Sequence, residues 1–507
     1  MLDAIEQAVK PHDRYQVEVK LDYELLGGKT TRYEVSTYIF VPNTLGINPS
    51  TYTRSDFYRD IQNYIRFKTP ELLLREFCDH SDSPLSSIEV MVAGENWHSD
   101  PEIQKALINN LKFLAAMLKT SIREHVDLVY RRIEEAPAKG SVHPMIGSLI
   151  DEYLNETREI VDCFRALFPA FNLPGVDDRL FAAYQFADEA ISLQIEEHAL
   201  ELYEIVSQNL GKKDNRDRYK MALAACTEKE VRHRKKMGYL SVLNLDKGEE
   251  NEIFAARASA LKKYASSVLF VATHRRAEGR GLEQALFMIA AGVSMLFATG
   301  IAFYFQQRVG NFTLPLLIAL VVGYMFKDRI KEFGRLLFSR YLENHLFDHR
   351  VIIRAPKSRE RLGVLKEKMQ FVSEAQVPNG VLKRRASDPL SELESESVHE
   401  YIILHSKEIV LYTDAFRRVF AGVPDLTGLN DITRYDIRAY LRKMDDPTEE
   451  RWYLSDGEIQ RLTTHRVYRM DLLSRYKSLA PSKDKLYSRI RLVLTRDGIK
   501  RVEQSRV

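Results

Sequence analysis

The stretch that decides the architecture runs from Ala285 to Phe326 and reads ALFMIAAGVSMLFATGIAFYF, then QQRVGN, then FTLPLLIALVVGYMF. No charged residue falls between Ala285 and Phe305, and such a run is long enough to cross a hydrocarbon core of roughly 30 Å. The second run, Phe312 to Phe326, is shorter and needs local thinning or its flanking residues to span. Between the runs, Gln306, Gln307, Arg308, Val309, Gly310 and Asn311 supply the polar punctuation of a tight connection. The reading is a two-helix transmembrane hairpin, residues 282–326, with a soluble part on either side in sequence. Helices buried in a soluble core are seldom apolar all round for so long.

Orientation follows from charge. His274, Arg275, Arg276 and Arg280 precede the first run, and Lys327, Arg329, Lys331, Arg335 and Arg340 follow the second. The connecting turn carries Arg308 alone. Cations near membrane ends stay on the cytoplasmic side, so both termini are expected in the cytoplasm of an inner-membrane protein. Arg275, Arg276, Arg280, Lys327, Arg329, Lys331 and Arg335 are the residues expected at the membrane surface. Small residues recur every four positions in the first run, at Ala290, Ser294, Ala298 and Ala302. Such a stripe lets helix backbones approach closely in lipid, either between the two runs or between copies of the chain. Neither run carries an ionisable residue at its centre, which argues against a pump or transporter.

Outside this stretch the chain is long enough for two or three domains, and its net charge of +3 carries no polyanion-binding signature. The N-terminal MLDAIEQAVKPHDRY has no apolar segment with a cleavage site, so the hairpin itself is expected to direct insertion. Cys78, Cys163 and Cys226 are scattered without C-x-x-C pairing, which fits a reducing compartment and offers no zinc frame.

Tyr15 to Leu25 alternates apolar and polar residues, and Tyr33 to Val41 does so again after Gly27-Gly28. The pattern predicts a β-hairpin, covered by helical segments near 56–64 and 70–77, in a small α+β module over residues 1–98. Asp100-Pro101-Glu102 is a helix start. Helical periodicity then continues to Pro137, from Pro144 to Pro169, from Asp178 to Leu210, from Asn215 to Met237 and from Glu249 to Arg276. Residues 99–281 therefore read as a helical bundle with a membrane-proximal helix. Residues 327–349 read as a basic juxtamembrane helix. Strand patterns at 349–354, 400–413, 465–473 and 487–495, with short helices near 414–420 and 434–443, make 350–507 a mixed, strand-rich α+β domain. Asp497-Gly498 turns the last strand into 499–502, and the polar stretch 381–398 is expected to be a disordered loop.

Few motifs carry chemistry. Glu196, Glu197, His198 and Glu201, with one E-x-x-H pair at Glu230 and His233, fall short of the two pairs a di-metal bundle uses, and read as a solvated face. His345 and His349 are four apart beside Glu343 and Asp348, without an identifiable third ligand. Arg384-Arg385-Ala386-Ser387 has the form of a basophilic phosphorylation site in a flexible loop. From Arg466 to the end, bases outnumber acids; an ordinary basic domain surface is the leading reading, with an anionic lipid surface next and nucleic acid as the alternative. Gly-rich phosphate loops, G-x-S-x-G and H-E-x-x-H are absent from the sequence.

The sequence thus predicts a membrane-anchored α+β protein with no catalytic, cofactor-binding or metal residues assigned. Its expected role is a non-enzymatic scaffold or signalling component that self-associates through the first span and meets the lipid bilayer and a cytosolic protein partner. An oligomeric channel, with rings of Ser294 and Thr299, and an enzyme with an unrecognised site in an α+β domain are the alternatives.

Overall fold

The computed structural model describes the chain except residues 1–4, 26–27, 82, 95–96, 136–143, 211–214, 244–247, 311–312, 357–359, 387–399, 420–427, 479–484 and 507. It is a mixed α+β structure in two compact units. One comprises Arg66–Phe270 with Phe420–Gly428, the other Met1–Ile65, Val271–Val419 and Leu429–Val507.

The first unit is the helical bundle. Its long helices are α1 (Pro101–Glu134), α2 (Pro144–Ala166), α3 (Asp178–Asn209), α4 (Arg216–Met237) and α5 (Gly248–Ser266). Asp100 caps α1 through the Glu102 amide, with Pro101 in the first turn. Asp177 caps α3 in the same way, and Gly238 ends α4 in the left-handed conformation that L side chains resist. Leu107, Leu111, Leu114, Leu118, Ile122 and Val129 are buried, as the heptad-like stripe requires. The fifth helix is shorter than its periodicity predicts and stops at Ser266.

The second unit is built on strands. These are β1 (Ile5–Pro11), β2 (Gln16–Glu24), β3 (Thr30–Pro42), β4 (Ile61–Phe67), β5 (Ala272–Ala277), β6 (His349–Arg354), β7 (Arg361–Val372), β8 (Glu400–Tyr412), β9 (Gly428–Asp436), β10 (Thr448–Ser455), β11 (Glu458–His465), β12 (Tyr468–Ser478), β13 (Lys485–Thr495) and β14 (Gly498–Arg506). They form an eight-stranded sheet ordered β14-β13-β12-β3-β8-β7-β6-β5, a four-stranded sheet ordered β1-β2-β9-β4, and the separate ribbon β10-β11.

The expected hairpin of β2 with β3 does not form, because the two strands belong to different sheets. β3 and β8 are each thirteen residues long and pair along their whole length, from Thr30↔Tyr412 to Pro42↔Glu400. β12 covers the other edge of β3, with Phe40 opposite Asp471 and Tyr33 opposite Ser478. Strands expected to make two separate modules, 1–98 and 350–507, therefore share sheets. Alternation identified β2, β3, β8 and β12 but could not choose among partners of equal pattern.

Thr37, Lys407, Ser474 and Tyr476 of the large sheet line one small cavity together with Val19, Leu21, Thr433 and Tyr435 of the small sheet. On the opposite face, Tyr38, Phe40, Ile402 and Leu473 pack against Val377 and Val381. Val381 belongs to a helix, Asn379–Arg385, within the segment expected to be disordered. The remainder of that segment lies outside the described residues.

Candidate functional site

Two features of the strand-built unit stand out, an apolar helical hairpin and a cluster of buried charges at its root. The hairpin consists of α6 (Arg280–Val309) and α7 (Leu314–His345). It is inserted between β5 and β6, which pair antiparallel from Ala272↔Arg354 to Ala277↔His349. Both ends of the hairpin therefore leave the sheet side by side. Residues 272–277, expected to continue a helix, form β5 instead, because their backbone completes the edge of this sheet.

The helix Arg280–Arg308 is long and apolar enough to cross a membrane, and only 11% of its most apolar window is buried. Leu296 is 74% exposed and Met288 69%, and Phe303, Ile318, Val321 and Met325 are exposed as well. A core helix would bury these side chains; water would meet an apolar patch far beyond the ordinary range. α7 is apolar from Leu314 to Phe326 and then charged from Lys327. One candidate membrane helix is present among the described residues, and a second complete span is not supported.

The small-residue stripe faces partly inward. Ala290 and Ser294 are buried. A Cβ at Gly334 of α7 would stand 2.9 Å from the Ala290 methyl, so these helices touch there within one chain. The Ser294 hydroxyl donates to the Ala291 carbonyl at 2.8 Å. Ala298 and Ala302 are half-buried, and Ile301 meets Gly323 in their place. A four-residue step turns about 40° past a full helical turn, so such a stripe drifts off the contact face.

Beneath the hairpin, Glu367 of β7 is fully buried. Asn63 donates to it, and the Arg275 guanidinium and Lys407 ammonium lie 3.6 and 3.8 Å away. The Lys407 Nζ donates to Asp431 and Thr433, both at 2.7 Å. Burial, with Asp431 and Asp348 nearby, raises the Glu367 proton affinity despite Lys407 and Arg275. Burial also drives His405 well below its ordinary pKa, and Lys407 adds to the effect. His405 Nε2 and Asp431 Oδ1 have no hydrogen-bond partner among the described residues. A cavity of about 10 Å³ adjoins His405, Lys407 and Tyr476, room for roughly one water molecule.

Asp348, directly before β6, accepts from the Tyr58 hydroxyl at 2.9 Å, the Met369 amide at 2.7 Å and Arg54 at 3.3 Å. Arg275 lies over the Tyr58 ring at 4.9 Å. Arg275 on the entering strand and Asp348 just before the leaving one thus fix both roots of the hairpin to the same core. Arg275, expected at the membrane surface, is exposed yet reaches into this cluster; Arg276, Arg280 and Arg329 are exposed as well.

The other sequence candidates fall as follows. His345 ends α7 while His349 opens β6, so the two do not share a helix face. The Glu230–His233 pair is no solvated face. Glu230 is buried and takes two bonds from Arg165, at 2.6 and 3.2 Å. Arg165 also reaches Asp188 at 2.9 Å, and His233 and Tyr239 meet the other Asp188 oxygen at 2.7 and 2.9 Å. Buried Arg234 bonds Ser192, the Ser241 carbonyl and Glu196. The burial of Asp188 works against its charge, but His233 and Arg165 prevail and lower its pKa. A guanidinium, in place of a metal ion, balances the inward carboxylates. Arg385 is buried against Glu400 and Phe40, whereas Ser387 lies outside the described residues. In the basic C-terminal region, Arg489 and Arg491 are turned inward onto Asp471, each at 3.0 Å.

Sequence reading missed Glu367, Lys407, Asp431, Arg165 and Asp188. Each is a lone charge inside an otherwise regular pattern, which resembles a solvent-facing position until the partner strands or helices are known. A groove of about 700 Å³ is open beside Arg59, Arg434, Arg438 and Asp60. Its arginines pair with acids, Arg59 with Asp56 at 2.9 Å and Arg434 with the buried Glu18 at 2.9 Å. No family model, curated protein or solved structure matches the chain.

Proposed function

We propose that the chain is a membrane-anchored scaffold or signalling component, held by its helical hairpin with its folded parts on the cytoplasmic side of an inner membrane. The observation that carries this reading is the apolar surface of α6 and the first half of α7, exposed to a degree that lipid explains and water does not. The cations at the roots and along α7 favour the cytoplasmic side. Glu367 and Asp188 lie buried among ion-pair partners, which suits a structural role for these charges. The contact of Ala290 with Gly334 leaves other faces of α6 for self-association, and the folded parts are left for a cytosolic protein partner.

Sodium carbonate extraction of membranes containing the full chain tests the anchor, and retention in the pellet is expected. Release into the supernatant overturns it. Native mass spectrometry in lipid discs tests the scaffold: a second polypeptide in the complex supports it. A closed homo-oligomer that conducts ions across vesicles replaces it with a channel.

A further inference from the structure

The two helices of the hairpin do not bring their apolar runs level with each other. Gly323 lies against Ile301 and Gly334 against Ala290, and Arg335 stacks over Phe287 at 5.5 Å. This antiparallel register sets the charged belt of α7, Lys327 to Arg335, alongside Ile289 to Phe297, the apolar middle of α6. Both helices are apolar together only toward the tip, from Ala298 to Phe305 on α6 and from Leu314 to Phe326 on α7. That zone is about 12 Å deep along α6 and about 20 Å along α7 at roughly 1.5 Å per residue, in either case well short of a hydrocarbon core of roughly 30 Å.

We infer that the hairpin enters a single leaflet, with its apolar tip among the acyl chains and the Lys327–Arg335 belt in the headgroup layer on the side of the folded unit. The inference rests on the membrane reading above and sets its depth. The competing placement, α6 crossing from Ala285 to Phe305, draws Lys327, Asp328, Arg329, Lys331, Glu332 and Arg335 into hydrocarbon. An ion pair joins Glu332 to Arg335 at 3.3 Å, but a belt of four cations and two carboxylates remains. Charges inside a bilayer are among the costliest placements a helix can make. The shallow placement embeds one charge, Arg308, whose guanidinium lies over the Tyr304 ring at 5.2 Å. One embedded charge against six favours the shallow depth, although it leaves the exposed Met288, Ile289, Val293 and Leu296 in the headgroup layer instead of the acyl chains. Paired roots on β5 and β6 agree, since a hairpin that dips and returns must begin and end on the same side.

The occupant of this surface is one lipid leaflet, and its headgroups are anionic, because cations outnumber acids in the belt. The test uses the full chain in vesicles of phosphatidylethanolamine and phosphatidylglycerol, with the variants Val293→Cys, level with Lys331, and Gln307→Cys, near the tip. A membrane-impermeant maleimide is added to either side, and labelled peptides are mapped by mass spectrometry so that Cys78, Cys163 and Cys226 are read separately. Labelling of position 293 from the folded-unit side is expected, with position 307 protected from both sides until detergent is added. Labelling of position 307 from the opposite side, or protection of position 293, overturns the inference. Ile289→Cys, level with Arg335, gives the same reading should Val293→Cys fail to fold. Flotation of the same sample comes first: protein that does not float with the vesicles refutes the membrane reading itself, whereas protein that floats but labels wrongly refutes only the depth.

Discussion

The bundle and the sheets each bury a cluster of charges, and they balance them differently. Around Arg165 the fit is close to complete: a bidentate guanidinium holds Glu230, shares Asp188 with His233 and Tyr239, and leaves Asp188 more acidic than an ordinary aspartate. Around Lys407 one ammonium serves Asp431 closely and Glu367 at a distance, and Glu367 is held less acidic than an ordinary glutamate. The Arg165 fork meets two carboxylates at hydrogen-bond distance, whereas the Lys407 ammonium spends its close bonds on Asp431 and Thr433 and Arg275 stays 3.6 Å from Glu367. The lesson is that burial alone does not fix the direction of a pKa shift; the number of well-aimed donors does.

The largest effect is expected from removing the fork. Arg165→Met leaves Asp188 and Glu230 buried without their main counter-charge and should lose about 3–5 kcal/mol in denaturant unfolding. A loss under about 1 kcal/mol would mean that water already screens the pair. Lys407→Met should cost somewhat less, about 2–4 kcal/mol at neutral pH. Its penalty should shrink as the medium is acidified, because Glu367 already favours its protonated form.

The clusters should also respond oppositely to pH. Glu367 has a folded pKa above its ordinary 4.5, so it binds protons more tightly in the native state. Its contribution favours folding in acid and is lost as pH rises from about 4.5 through the folded value. Glu367→Gln should therefore remove a fall in melting temperature on going from pH 4.5 toward neutrality. Asp188 has a folded pKa below its ordinary 3.8, so its stabilisation is present above that value and fades as pH falls through the folded one. Asp188→Asn should be most damaging at neutral pH and converge on the native protein in strong acid; parallel melting curves across pH would refute the contrast. The smallest effect belongs to Glu332→Gln on α7, whose partner Arg335 is 41% exposed. Less than about 0.5 kcal/mol is expected there.

Much of the fold was legible where one signal ran uninterrupted. The stripe from Leu107 to Val129 gave α1, and Asp100-Pro101 its start, since capping and periodicity are local. Strands β6, β8 and β13 were found close to their bounds for the same reason. What local pattern could not supply was partnership: β3 pairs with residues 400–412 and 471–478, hundreds of positions away. The strands β7, β9, β10 and β11 went unread because Lys, Glu and Arg interrupt their alternation. The clusters around Lys407 and Arg165 were hidden likewise, since a charge in a strand or helix announces its type but not whether water or a carboxylate will face it.

The pairing of β5 with β6 has one more consequence. Ala277 and His349 stand opposite each other in a two-stranded ladder, a separation that a two-residue turn such as Asn-Gly closes. The intervening hairpin is thus a cassette on a sheet whose edge is complete without it. A chain with Ala277 joined to His349 through such a turn, with Asp348 kept as its second residue, should fold into the same sheets and stay in water, which makes the apolar hairpin a removable part and the strand-built unit open to study in solution.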